Sequence, residues 1–298
     1  MYYTGFADEA SGDLELQIKA TKELGWRYIE TRSLFKKNLA SINDRQFEEV
    51  CKKLETSGVS FNCYGSGVGN WATSIESPPD DSYKEMEMAI PRMQRLGIKM
   101  MRVMSFPVKD LERNEDYAEE AFKRMRTIAR IGADAGITCL HENCSGWGSL
   151  SYEHTLRLLE AVNSPFFKLV FDTGNCVFDP DVRGRPPYKN QDSWGFYQAV
   201  KKHIVYVHIK DGYVDGNKSV FTFAGEGHGR VRDIVKDLLL SGYDGGFSIE
   251  PHMQVIYHDK SVKSTDQLRY ENYIEYGRRF EKLVSEIKSE LVKEKQKR

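Results

Sequence analysis

Short apolar runs alternate with amphipathic segments along most of the chain. The runs Tyr2–Ala7, Tyr28–Thr31, Ser60–Tyr64, Met100–Met104, Thr138–Glu142, Leu169–Asp172, Val205–Ile209 and Phe247–Glu250 are mostly apolar on consecutive positions. Parallel strands buried on both faces have that pattern. Between them the spacing turns helical. Leu14, Ile18, Thr21 and Leu24 share one face before Gly25, and Phe47, Val50, Cys51 and Leu54 repeat it, with Asn43 as N-cap and Gly58 past the end. Phe122, Met125, Ala129 and Ala133 precede Gly136, and Ile234, Val235, Leu238 and Leu239 precede Gly242. Gly132 lies inside the third of these helical patterns and weakens its last turn.

Eight strands alternating with helices predict an α/β protein, a parallel eight-stranded (β/α)8 TIM barrel, as a single domain over residues 1–298. A doubly wound open sheet would show a Gly-rich turn after the first strand, and none follows Tyr3–Phe6. A long helix is expected from about Gln267, with its Lys- and Glu-rich end, Lys288–Arg298, solvated or frayed. Two longer connections, 70–81 and 177–194, follow the third and sixth strands. Both would emerge at the C-terminal mouth, either to build a substrate pocket or as plain surface loops.

Charge and composition narrow the partners. Lys plus Arg number 43 and Asp plus Glu 44, so no general field attracts nucleic acid or anionic lipid. No apolar run approaches the ~20 residues that span a bilayer, and no leader pattern opens the chain. The five cysteines are scattered without CxxC spacing and read as reduced thiols, with packing roles favoured for Cys144 and Cys176. A soluble cytoplasmic protein is expected, with a small-molecule substrate and no nucleic-acid or membrane partner.

Four polar residues end four successive apolar runs, in ITCLHEN, KLVFDTGN, IVYVHIKD and FSIEPH. Each is costly to bury alone. In a parallel barrel all strand ends point to one mouth, so Glu142, Asp172, His208 and Glu250 can converge, and a divalent cation resolves the repulsion of three carboxylates. Singly, each reads as an ordinary cap or ion-pair partner; four in register favour a metal. An oxygen-rich set with one imidazole suits Mn2+ best, with Mg2+, Co2+ or Zn2+ as alternatives.

The motifs HEN (His141–Asn143), DTGN (Asp172–Asn175), HIKD (His208–Asp211), GEG (Gly225–Gly227) and GYDGGFSIE (Gly242–Glu250) together resemble the sugar isomerase/epimerase-like (xylose isomerase-like) TIM barrels. That family includes ketose 3-epimerases, hydroxypyruvate isomerase and inosose dehydratase, and the resemblance spans about residues 1–257. It implies that Glu142, Asp172, His208 and Glu250 hold the metal and that Glu142 and Glu250 form a proton-transfer pair. Epimerase members usually carry His where this chain has Asn175, so an acid–base role there does not transfer. The HIKD tetrad looks more like inosose dehydratase.

The expected function is a divalent-metal-dependent isomerase or epimerase of a keto-sugar or polyol, working through a metal-stabilised enediolate. A lyase or dehydratase of inosose or 3-keto-glycoside type is the alternative. An endonuclease IV-like repair enzyme fits poorly with seven histidines and net charge −1; a non-catalytic barrel fits poorly with an intact ligand set. Lys210 shares the face of His208 and reads equally as a catalytic cation or a salt bridge to Glu250 or Asp172. Asn175, Trp147, Glu226 and His252 are candidate substrate contacts, with Trp71 and Trp194 as further mouth aromatics and His228 as a further mouth histidine. His141 should point into the helix layer. Arg102, and Glu30 with Arg32, read as a polar floor, as contacts to substrate hydroxyls or, in preference to both, as a structural ion pair. GEGHG could pass for a phosphate cradle, but Glu226 would repel a phosphate, so a non-phosphorylated substrate is expected. Association into a homo-oligomer is possible for such barrels.

Overall fold

A computed structural model describes residues 1–256 and 262–296. The consecutive apolar runs form eight parallel strands: β1 (Tyr2–Gly5), β2 (Tyr28–Thr31), β3 (Ser60–Gly65), β4 (Met100–Val103), β5 (Thr138–Glu142), β6 (Phe167–Asp172), β7 (Ile204–Ile209) and, after an inserted hairpin β8 (Asp211–Asp215) and β9 (Lys218–Thr222), β10 (Gly246–Ile249). Hydrogen-bonded ladders join them in the order β1-β10-β7-β6-β5-β4-β3-β2, and β1 and β2 lie against each other at the seam. The protein is therefore a nearly closed parallel (β/α)8 barrel, as the alternation of runs predicts.

Helices α1 (Leu14–Glu23), α2 (Asp44–Ser57), α3 (Asp80–Leu96), α4 (Ala118–Asp134), α5 (Tyr152–Val162), α6 (Asn175–Phe178), α7 (Ser193–Val200), α8 (Val231–Leu240) and α9 (Asp266–Gln296) surround the strands. Local chemistry sets their ends. The Asn43 side chain accepts from Gln46 N at 2.9 Å while Gln46 Oε1 accepts from Asn43 N at 3.0 Å, a reciprocal cap that satisfies two orphan amides. Gly58 closes α2 with φ +73°. Helix α4 runs through Gly132 to Asp134, and a Cβ there would lie 2.7 Å from Cys139 Sγ and 2.8 Å from the Ile137 carbonyl. Its bareness lets α4 close onto β5.

The tail expected to be solvated or frayed is helical to Gln296, and residues 257–261 and 297–298 lie outside the described residues. Lys236 reaches Glu294 at 2.7 Å and Arg232 pairs with Glu290, so α9 is tied to α8. None of the described helices is long and apolar enough to cross a membrane.

Alternate residues of a strand face the lumen. Cys63, Leu140, Val170 and Tyr206 pack there with Tyr2 and Met100, an apolar plug at the lower level. Two residues further on, the same strands carry Arg102, Glu142, Asp172 and His208. The polar site thus stands one strand repeat above a sealed floor.

The hairpin β8–β9 was not foreseen. Asp211, fully buried at its start, accepts four backbone amides: Gly212 (2.9 Å) and Gly229 (2.8 Å) on Oδ1, Gly225 (2.8 Å) and Gly227 (3.1 Å) on Oδ2. GEGHG is therefore an anion nest, filled by the protein's own carboxylate. Asp211→Ala strands several of those amides and should lower stability by about 2–4 kcal/mol, measured by urea denaturation; an unchanged midpoint would show that the loop is held otherwise.

Candidate metal centre

Glu142 closes β5, Asp172 closes β6, His208 lies near the end of β7, and Glu250 is the first residue past β10. The ladders pair Glu142 with Val170, Asp172 with His208, and His208 with Ser248. Register therefore brings the four side chains to one level of the lumen. One donor atom from each lies within 4.8 Å of all the others, and all four residues are buried. Opposite ligands of an ion with ~2.1 Å bonds stand roughly 4.2 Å apart, so a small contraction would seat one divalent cation.

The imidazole is oriented for that task. His208 Nε2 lies 3.0 and 3.2 Å from the two oxygens of buried Glu30, and Ser248 Oγ donates to the same carboxylate at 2.6 Å. A carboxylate only accepts, so Nε2 carries a proton, and the proton that Nδ1 shares with Glu142 is the one a bound cation would displace. Nδ1 is turned inward, 3.1 Å from Glu142 Oε1. A carboxylate behind a ligating histidine fixes its tautomer and its ring plane.

Asp172 is set by its neighbours in sequence. Its Oδ1 accepts from Gly174 N (2.8 Å) and Asn175 N (2.7 Å). Asn143 clamps its backbone, accepting from Asp172 N at 2.7 Å and donating to its carbonyl at 2.9 Å. Oδ2 has no aligned hydrogen bond, although Lys210 Nζ stands 3.0 Å away. The ammonium is in ion-pair range but poorly directed, which leaves that oxygen's lone pairs open. A buried, under-satisfied carboxylate oxygen in an inward-facing donor set is what a divalent cation would complete.

Burial raises every carboxyl here, and the neighbours decide the outcome. For Glu142, His208 and Arg102 outweigh burial and bring it down to about 2. For Glu250, Lys210, His252 and Arg32 outweigh burial and hold it well below the ordinary range. Asp172 stays raised, to about 6, because burial exceeds the pull of Lys210. Burial pushes His208 down, but Glu30 and Glu142 lift it to about 10. Lys210, between Asp172 and Glu250 at 3.0 Å each, is held well above its usual value against burial. It is held in its protonated form.

A cavity of about 890 Å³ opens above the cluster, lined by Glu142, Asn175, Lys210, Glu250, His252 and Trp71 among others. Asn175 Nδ2 donates to Glu142 Oε1 at 3.3 Å, and His252 is held by Glu9 at 2.9 Å. Lys210 makes both salt bridges that the sequence offered it.

Two expected substrate contacts fall elsewhere. Trp147 is fully buried in the helix layer, donating to the Asn114 carbonyl at 2.9 Å and packing on Phe122; its loop folds back, so it cannot reach a ligand. Glu226 is exposed and paired with Arg279 at 3.0 Å, over a separate surface depression, because Asp211 draws the flanking glycine amides inward. Trp194 packs on Tyr197, and His228 lies beside Tyr213 away from the cavity. Cys144 lines the cavity, against the packing role expected of it, while Cys176 is buried beside Asn143. His141 points outward to Ser105, as alternation requires. Asp8, Glu9 and Asp179 were missed. Their acidic side chains in a mouth loop carry no local signature.

The fold and this donor set define a class: a (β/α)8 barrel with a carboxylate-rich, single-imidazole group at its C-terminal mouth that can hold a divalent ion. The chain belongs to the xylose isomerase-like TIM barrel family, whose model matches residues 18–270. Among solved structures it is similar to a D-tagatose 3-epimerase-like protein (16% identity, TM-score 0.70, covering 98% of this chain and 100% of that one). It is also similar to the IOLI protein, whose structure has a bound zinc atom (16%, 0.70, 96% and 99%), and to the probable 3-DHS dehydratase AsbF of Bacillus anthracis, involved in petrobactin synthesis (15%, 0.66, 91% and 98%). At such identities the likeness establishes the fold. No curated protein matches the sequence.

Two outcomes follow from the geometry. Glu30→Gln removes the charge behind His208 and should weaken Mn2+ binding by roughly 10- to 100-fold, read by calorimetric titration; an unaltered affinity would sink the orienting role. Asp179, raised to about 7 by burial against the opposing pull of Lys210, holds its proton longer in the folded state. Folded stability is then lost as pH rises from about 4 towards 7. Asp179→Asn should be the more stable form at pH 8, with the difference shrinking towards pH 4 in urea melts.

Proposed function

We propose that this protein is a divalent-metal-dependent isomerase or epimerase acting on a small carbohydrate, a keto-sugar or polyol. The observation that carries the reading is the convergence of Glu142, Asp172, His208 and Glu250 beneath one cavity, with His208 Nδ1 turned inward by Glu30. These four residues would hold the ion, Mn2+ by the hardness of the set. When bound, such an ion polarises a substrate carbonyl and acidifies the neighbouring C–H.

The chain's own residues do the rest. Glu142 and Glu250 both line the cavity and both are held ionised, so either can accept a proton from carbon. Two carboxylates flanking the substrate allow removal on one face and return on the other, which is epimerisation, or return to the adjacent carbon, which is isomerisation. Asn175 orients Glu142 and carries no titrating proton. Lys210, charged and cavity-lining, supports a second reading: it can protonate a departing oxygen, and the same first step then ends in elimination by a lyase or dehydratase.

Deuterium wash-in from D2O over a panel of keto-sugars and inososes, with Mn2+ present, tests both readings. Exchange without loss of a group supports the isomerase or epimerase, and loss of water or an aglycone supports the lyase. No exchange with any compound would count against both. Glu142→Gln should cut turnover by about 10²- to 10⁴-fold with an unchanged circular dichroism spectrum. Undiminished turnover would remove Glu142 from proton transfer.

A further inference from the structure

The two arginines and the lysine at the metal cluster are committed to different degrees. Arg32 is saturated: Nε and Nη2 each lie 3.1 Å from Asp8, Nη2 is 3.2 Å from Glu9, and Nη1 is 2.7 Å from Glu250. Lys210 is shared by Asp172 and Glu250. Arg102 differs. It is only 3% exposed, yet its buried Nε and Nη1 donate no hydrogen bond among the described residues. The carboxylate oxygen facing it, Glu142 Oε2, is 3.5 Å from Nε.

A guanidinium cannot shed its proton, so burying it with two idle donors is a standing cost. Nor can Glu142 be expected to relieve it. Its Oε1 is taken by His208 and Asn175, and Oε2, the oxygen turned to Arg102, stays 3.5 Å from Nε without forming a hydrogen bond. The guanidinium also lies beside an aromatic ring. Its Cζ lies 5.9 Å from the centre of the Phe6 ring, over which Arg32 stacks at 4.2 Å. It lines the same cavity as Glu142 and Glu250, beside Met104 and Trp71. Nε and Nη1 are sealed from solvent, whereas Nη2 is not among the sealed, partnerless atoms and has no hydrogen bond to the described residues; a planar cation that meets the cavity through Nη2 suits an incoming carboxylate.

We propose that Arg102 binds a carboxylate of the substrate, so that the preferred ligand is a keto-acid sugar rather than a neutral one. This rests on the reading of the cluster as a metal-dependent sugar site and narrows its substrate class. A phosphate ester fits less well, because Glu142, Glu250 and Asp179 line the cavity too and oppose a dianion.

The test is equilibrium binding to the full Mn2+-loaded chain of 2-keto-D-gluconate, D-fructose and D-fructose 6-phosphate. The first two differ only at the terminal carbon, carboxylate against hydroxymethyl. The wild type should bind the keto acid about 10- to 100-fold more tightly than fructose, and Arg102→Met should bring the two within about twofold. Should that variant not fold, Arg102→Lys, which keeps the charge without the planar guanidinium, should still lose most of the preference. The proposal is overturned if 2-keto-D-gluconate binds no more tightly than fructose, or if neither binds. It is equally overturned if the phosphate ester binds best, or if the preference survives the loss of the guanidinium. Deuterium wash-in separates this from the enzymatic reading: a carboxylate preference without exchange removes the enolisation, and exchange without a preference removes the role of Arg102.

Discussion

The repulsion among buried carboxylates at the barrel mouth is the constraint to which the surrounding structure answers. Glu30, Glu142, Asp172 and Glu250 are all at most 5% exposed, and none could be buried as an isolated anion. The protein meets the cost by interleaving cations: Arg32 on Glu250, Lys210 between Asp172 and Glu250, and His208 between Glu30 and Glu142. Those bridges run across the lumen from β2 to β5, β6, β7 and β10. They join opposite walls of a barrel whose first and second strands share no ladder. A divalent ion at the same level would carry part of this compensation, and binding would then be coupled to the rigidity of the mouth.

The strand repeat of two residues explains why so much chemistry gathers at one height. Leu140, Val170 and Tyr206 close the lumen below, and the next inward positions are Glu142, Asp172 and His208. The apolar plug keeps solvent from entering from beneath, which preserves the strength of the charge pairs above it. The residues between, such as His141, face the helices and meet a different set of partners. A one-residue slip of any strand would exchange the two environments.

The four converging residues and the barrel were legible because both rest on short-range pattern. Apolar runs of four to six residues, each ending in one polar group, announce buried strands and their mouth ends together. Helix ends at Asn43 and Gly58 were legible for the same reason, since caps are local hydrogen bonds. Gly132 shows the limit. Read locally it weakens a helix, while in the fold it lets α4 approach Cys139. Trp147 and Glu226 mark a second limit, because where a loop side chain points depends on what holds the loop. For Glu226 the holder is Asp211, whose carboxylate organises a segment that follows it by more than a dozen residues.

Sequence alone determined the donor set: three carboxylates and one imidazole at strand ends, a group that could hold a hard divalent ion. Tertiary structure decided which of the surrounding charges are already spoken for. Arg32, Lys210 and Arg102 are alike as letters, each a cation on or next to a strand that enters the mouth. Only the packing shows that the first two are hydrogen-bonded to carboxylates from other strands, while the third meets Glu142 in an ion pair without a hydrogen bond and keeps donors to spare. The reason is physical. A side chain's charge and hydrogen-bonding capacity are properties of its type, whereas the partners that use them come from segments as far as 218 residues away, brought into contact by barrel closure.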